Sequence, residues 1–127
     1  MGYRSDVAIK IYGDDANKMV EFETEYVKRF LQLPELEQKW MNDIFNDTPE
    51  ANGFTDDGFS FYVEQIKWYD DEVIVNFYDG LIDKAEELGL CAEFVRIGEE
   101  HDDNETRYIN DEVEYKLYIN RSITGIY

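Results

Sequence analysis

A chain of 127 residues with 30 Asp and Glu against 12 Lys and Arg carries a formal charge of −18, which repels nucleic acid and anionic membrane and attracts basic grooves. Ten Tyr, eight Phe, two Trp and 43% hydrophobic residues exclude the disorder usual for so acidic a chain and predict one acidic domain over residues 1–127. A lone cysteine, Cys91, excludes an intrachain disulfide and a cysteine-based zinc site, and no apolar run approaches the length of about 18 residues that a membrane span needs.

The N-terminal residues lack the apolar segment of a signal peptide, so the expected location is the cytosol. Val7, Ile9 and Ile11 then alternate with Ala8, Lys10 and Tyr12, a period of two that predicts a strand over Asp6–Tyr12. Asp14 or Asp15 caps the helix that follows, since a short carboxylate accepts hydrogen bonds from the orphan N–H groups of a first turn. Its inward stripe is expected at Ala16, Met19, Val20, Tyr26, Val27, Phe30 and Leu31, interrupted only by Glu23. Pro34 opens a second helix in which Leu36, Trp40 and Ile44 face inward, with Met41 and Phe45 as further candidates.

From Asn46 to Gly58 the periodicity stops and turn signals gather. Phe59–Trp68 reads as a strand with Phe59, Phe61 and Val63 on one face and Tyr62, Ile66 and Trp68 on the other. Ile74, Phe77, Leu81, Ala85 and Leu88 mark a third helix, with Gly80 inside it and Gly89 placed for a left-handed C-cap. Leu90–Gly98 is the next strand, Glu99–Glu105 an acidic loop, Arg107–Ile109 a short pairing segment, and Val113–Ile119 a last long strand. The order β-α-α-β-α-β-β predicts an α+β two-layer sandwich, with about three helices on one face of a mixed or antiparallel sheet of four or five strands. Its other face is expected to be open and polar.

Few residue patterns point to chemistry. His101, the single histidine, lies among Glu99, Glu100, Asp102 and Asp103, where a charged, solvated imidazolium makes a poor general base. The loops Asp47–Asp57 and Glu99–Glu105 offer oxygen ligands, but neither keeps the EF-hand register. No phosphate-binding glycine loop occurs. No catalytic, metal or cofactor residue is therefore assigned. The acid excess leans toward the C-terminal part: residues 1–69 hold 14 acids and 7 bases, residues 70–127 hold 16 and 5. Its densest run supplies the expected partner-binding residues Glu99, Glu100, Asp102, Asp103 and Glu105, continued by Asp111, Glu112 and Glu114. A row of carboxylates can occupy the groove of a nucleic-acid-binding protein, because duplex DNA itself presents about one charge per 1.7 Å of axis.

Three stretches together carry a resemblance: Met1-Gly2-Tyr3-Arg4-Ser5-Asp6-Val7, Ile66-Lys67-Trp68-Tyr69, and Arg96-Ile97-Gly98-Glu99 followed by Asp102-Asp103. The chain resembles a group of small acidic proteins encoded by bacteriophages and prophages. The resemblance runs loosely from end to end and brings no catalytic residue with it. It implies a counter-defence factor, similar in size and acidity to anti-CRISPR and anti-restriction proteins that cover a nucleic-acid-binding surface. The expected partner is then a host protein with a basic surface, such as a CRISPR or restriction effector, with neither nucleic acid nor membrane bound directly; a homodimer is compatible with it. The alternatives are a domain that sequesters a small molecule or nucleotide near Trp68, Tyr62 and Tyr69, and an enzyme using Asp or Glu with a divalent ion. Arg4 and Arg96 are expected to neutralise acids such as Asp6 and Glu99 around the strand ends.

Overall fold

The computed structural model describes residues 4–55, 58–69, 72–100, 103–110, 118–119 and 123–124. In chain order these form β1 (Ser5–Tyr12), α1 (Ala16–Leu31), α2 (Glu35–Asp47), β2 (Gly53–Thr55), β3 (Gly58–Ile66), α3 (Val73–Glu87), β4 (Cys91–Gly98), β5 (Asn104–Ile109), β6 (Tyr118–Ile119) and β7 (Ile123–Thr124). The fold is α+β, as the residue pattern predicts. Five antiparallel strands in the order β2-β3-β1-β4-β5 make the main sheet, with three helices packed against it. His101 and the segment 113–117 of the expected last strand lie outside the described residues; its end, β6, pairs antiparallel with β7 over two residues. Among the described residues, no helix is long and apolar enough to cross a membrane.

Val7, Ile9 and Ile11 of β1 carry the helix-side core, flanked by Phe59 and Phe61 of β3 and by Ala92 and Phe94 of β4. Aromatic rings fill most of it. Phe61 stacks on Tyr78 of α3 at 4.3 Å, and Tyr26 of α1 meets Phe77 edge-on at 5.4 Å. Asp15 caps α1 by accepting from the N–H groups of Asn17 and Lys18. The end of α3 is a Schellman turn: Gly89, at φ +78°, donates to the Glu86 carbonyl, and Leu90 donates to that of Ala85. Gly80 faces the guanidinium end of Arg29 on α1, which a Cβ there would push aside.

The structure corrects four readings. Val20, Val27 and Leu31 face solvent, as does Leu36 at 81% exposure, whereas Phe22 and Met41 are fully buried. The inward face of α1 is Met19, Phe22, Tyr26 and Phe30, about one sixth of a turn from the expected stripe. A three-residue strand, β2, occupies part of the segment that reads as turns, and the Asn52 side chain extends its ladder by bonding both the N–H and the carbonyl of Tyr62. Ile66 at the end of β3 and Trp68 just beyond it join the helix-side core instead of the opposite face. Ser5 pairs with Ile66 but Val7 with Val63, so β3 carries one extra residue, and Gln65 takes the left-handed φ of +57°. That bulge turns the chain over and brings Trp68 against Tyr78 and Phe94.

The other sheet face is also less open than expected. Ala8, Val95 and Ala51 are fully buried there with Tyr62 against them, and β6 and β7 lie against β1 and β4. Glu93 on this face is fully buried and accepts a 2.6 Å hydrogen bond from the Tyr12 hydroxyl. Cys91 is half-buried, its thiol donating to the Asn110 carbonyl at 3.2 Å.

Candidate functional site

The bulge of β3 is held by residues of β1. Asp6 Oδ1 accepts the Gln65 N–H at 3.0 Å, and Arg4 Nη1 donates to the Gln65 carbonyl at 3.2 Å. Between them Ser5, almost wholly buried, accepts from Arg96 Nη1 of β4 at 3.0 Å. Arg4-Ser5-Asp6 thus ties β3 to β1 and β1 to β4 at one end of the sheet. Sequence separation hides this meeting: Ser5 and Arg96 are 91 residues apart.

Arg96 is the centre of a charge cluster. Its Nη2 donates to Asp103 Oδ1 at 2.9 Å, Nη1 to Asp103 Oδ2 at 3.4 Å, and Nε to Glu105 Oε1 at 3.0 Å. This two-pronged geometry is the strong form of a guanidinium–carboxylate pair. Partial burial opposes the charge, but the hydrogen bonds and negative charges of Asp103 and Glu105 outweigh it and hold the guanidinium above its usual pKa. Neighbouring Arg107 of β5 donates to Asp83 Oδ1 of α3 at 3.0 Å, fastening the edge strand to the helix.

Between α3 and the β4–β5 edge these groups border a cleft of about 620 Å³. Trp68 and Tyr69 form its aromatic wall, and Phe94 and Ile82 line it further. Four carboxylates (Asp79, Asp83, Asp103 and Glu105) face two arginines, Arg96 and Arg107, so among the described residues the lining is acidic by two charges. Such a lining disfavours a nucleotide phosphate. The expected grouping of Trp68, Tyr69 and Tyr62 divides: Tyr62 lies in a separate hollow of about 190 Å³ with Ile44 and Val63.

The expected partner-binding run is split as well. Glu99 and Glu100 are exposed, with Glu99 Oε1 accepting the Arg4 backbone N–H at 3.0 Å. Asp103 and Glu105 turn toward Arg96. Asp102, Asp111, Glu112 and Glu114 lie outside the described residues. A second acid row, on α3, escaped the sequence reading, although its spacing could have shown it. Asp79, Asp83, Glu86 and Glu87, preceded by the cap residue Glu72, all stand exposed along one side of the helix over about 22 Å. Asp79 and Asp83 of this row line the cleft, whereas Glu99 and Glu100 are not among its lining residues. Among the described residues no group of three or more His, Cys, Asp or Glu is arranged to hold a metal ion.

Comparison with protein families, with curated proteins and with solved structures finds no match to this chain.

Proposed function

We propose that this chain is a non-enzymatic, phage-encoded inhibitor that binds a host nucleic-acid-handling defence protein, such as a CRISPR or restriction effector, in the host cytosol. Its acidic face takes the place of nucleic acid in the partner's basic groove. The observation that carries this reading is the exposed carboxylate row of α3, with Glu99 and Glu100 as further exposed acids after β4. Five carboxylates lie along about 22 Å of this helix, and with Asp83 paired to Arg107 and Glu87 to Lys84 the row keeps a net charge of about −3, sparser than the one charge per about 3.4 Å of a nucleic-acid strand but of the same sign. Displayed on a packed helix, they need little ordering on binding. The resemblance to phage proteins and the net charge of −18 support the same reading.

The test is capture from a bacterial lysate over a salt series, followed by competition. The expected catch is a basic nucleic-acid-binding protein that duplex DNA or RNA displaces and that salt releases steeply. Reversal of Glu86, Glu87, Glu99 and Glu100 to Lys should abolish capture. The same reversal at Glu21, Glu23, Glu35 and Asp43 on α1 and α2 should leave most of it. Equal losses in both variants would reduce the effect to bulk charge and sink the proposed face, and a co-eluting metabolite in place of a protein would favour the sequestering alternative.

A further inference from the structure

We infer that the outer face of α1 is the contact surface for a second copy of this chain, docked as an antiparallel, twofold-related helix. This goes beyond the function proposed above and does not depend on it. Val20, Val27 and Leu31 are 60%, 48% and 67% exposed, and the exposed Thr24 completes their row. Steps of four, three and four residues place all four on one narrow stripe about 16 Å long, the spacing of a helix seam. Its one polar member is already satisfied. The Thr24 hydroxyl donates to the Val20 carbonyl at 2.9 Å, so covering it strands no donor. On the other side of the helix Phe22 and Tyr26 are buried in the core, so the stripe sits on a fixed element.

Charge decides the occupant. Helix α1 sets Glu21, Glu23 and Glu25 against Lys18, Lys28 and Arg29 and is neutral. By contrast, α2 sets four acids against Lys39 alone, and α3 four against Lys84 alone. On a chain of charge −18, a like-charged copy is therefore repelled least at α1. The stripe is also palindromic, for its steps read the same from either end. A twofold axis midway between Thr24 and Val27 sets Val20 opposite the second copy's Leu31, and Thr24 opposite its Val27. Such an axis, perpendicular to both helices, brings the same flank of each together. Glu21 and Lys28, seven residues apart, share one flank and form no ion pair among the described residues; Lys28 attracts Glu25 only through space. Each Glu21 thus comes within reach of the other copy's Lys28, one pair at either end of the seam. A parallel copy forgoes both pairs, because its matching flank lies on the far side. Four residues a copy fall well short of the roughly 20–30 a side of a standard interface, so the dimer dissociates on dilution.

The test is sedimentation velocity over a concentration series at about 300 mM NaCl, where long-range repulsion between copies is screened. The mass should rise with concentration toward that of a dimer. Leu31→Glu should hold the chain monomeric, whereas Leu36→Glu, the same change at an exposed leucine of α2, should leave association within about twofold. Urea denaturation checks that both variants stay folded. Glu21→Lys or Lys28→Glu alone breaks both symmetric pairs and should weaken association about tenfold, and the two together should restore it. A monomer at every concentration overturns the inference, as does a dimer that is indifferent to Leu31→Glu or equally broken by Leu36→Glu. Failure of the double charge swap to restore association overturns the antiparallel pairing. If the chain stays monomeric while Leu31→Glu weakens capture of the basic partner, the stripe serves that partner and the second copy is wrong.

Discussion

Deep in the core, the hydroxyl of Tyr78 donates to Met41 Sδ at 3.5 Å, and the Tyr26 hydroxyl is buried with no hydrogen-bond partner among the described residues. Burial pushes Tyr26 up to about 12 and lifts Tyr78 well above its usual value. An unsatisfied buried hydroxyl costs about 1–3 kcal/mol of desolvation without return. Tyr26→Phe keeps the ring contacts with Phe59 and Phe77 and should leave stability unchanged or raise it by about 1 kcal/mol, measured by urea denaturation. A clear loss of stability would mean that the hydroxyl has a partner. The same residue governs alkaline behaviour. The unfolded phenol ionises near 10.0, but the folded one holds its proton to about 12. The stabilisation is complete below pH 10 and is lost as pH rises toward 12, at about 1.4 kcal/mol per pH unit. Melting curves between those limits should therefore fall less steeply for Tyr26→Phe than for the unsubstituted protein.

Whole elements were legible where periodicity alone decides them, and misread where phase or register depends on distant parts of the chain. Helix α1 offers two apolar stripes. Val20, Val27 and Leu31 form one, and Met19, Phe22, Tyr26 and Phe30 the other. Helical spacing identifies the helix for either; the sheet below accepts the aromatic stripe, whose rings meet Phe54, Phe59 and Phe77. Helix α2 poses the same choice between Leu36 and Met41. Met41→Ala should cost about 2–5 kcal/mol, because the side chain is fully buried, while Leu36→Ala should change stability by less than about 0.5 kcal/mol. Comparable losses in urea denaturation would put Leu36 in the core and contradict the observed phase. The Gln65 bulge lies beyond any binary pattern, since it follows from what Arg4 and Asp6 do 59 or more residues away. Hence the acids of the candidate site could be named from sequence, whereas their division could not. Only the pairing of β1 with β4 and of β4 with β5 brings Ser5, Asp103 and Glu105 to Arg96 and leaves Glu99 and Glu100 outward.

At the scale of the molecule, the charge of −18 has to be reconciled with a compact fold. Five ion pairs join described residues, and all five use an exposed or partly exposed carboxylate, where such pairs are worth about 0–1 kcal/mol each. The rows on α3, on the outer sides of α1 and α2, and at Glu99 and Glu100 keep acid close to acid on rigid elements. Repulsion therefore remains in the folded state and is relieved when the chain expands. Screening should relieve it without unfolding. The Debye length falls from about 30 Å at 0.01 M salt, longer than α3, to under 10 Å above 0.1 M, close to the spacing between alternate carboxylates of its row. Thermal unfolding should therefore shift upward by several degrees between about 10 and 300 mM NaCl, with the largest gain below 100 mM. Reversal of Glu86, Glu87, Glu99 and Glu100 to Lys lowers the net negative charge by eight and breaks both rows, so it should raise the low-salt midpoint and flatten its salt dependence. The functional consequence is opposite in sign: the repulsion that weakens the free protein in dilute salt is what a basic groove would neutralise, so a bound partner should remove the salt dependence too. A midpoint that stays flat or falls with salt would show that the carboxylates are already balanced within the fold, leaving no surplus for a partner to neutralise.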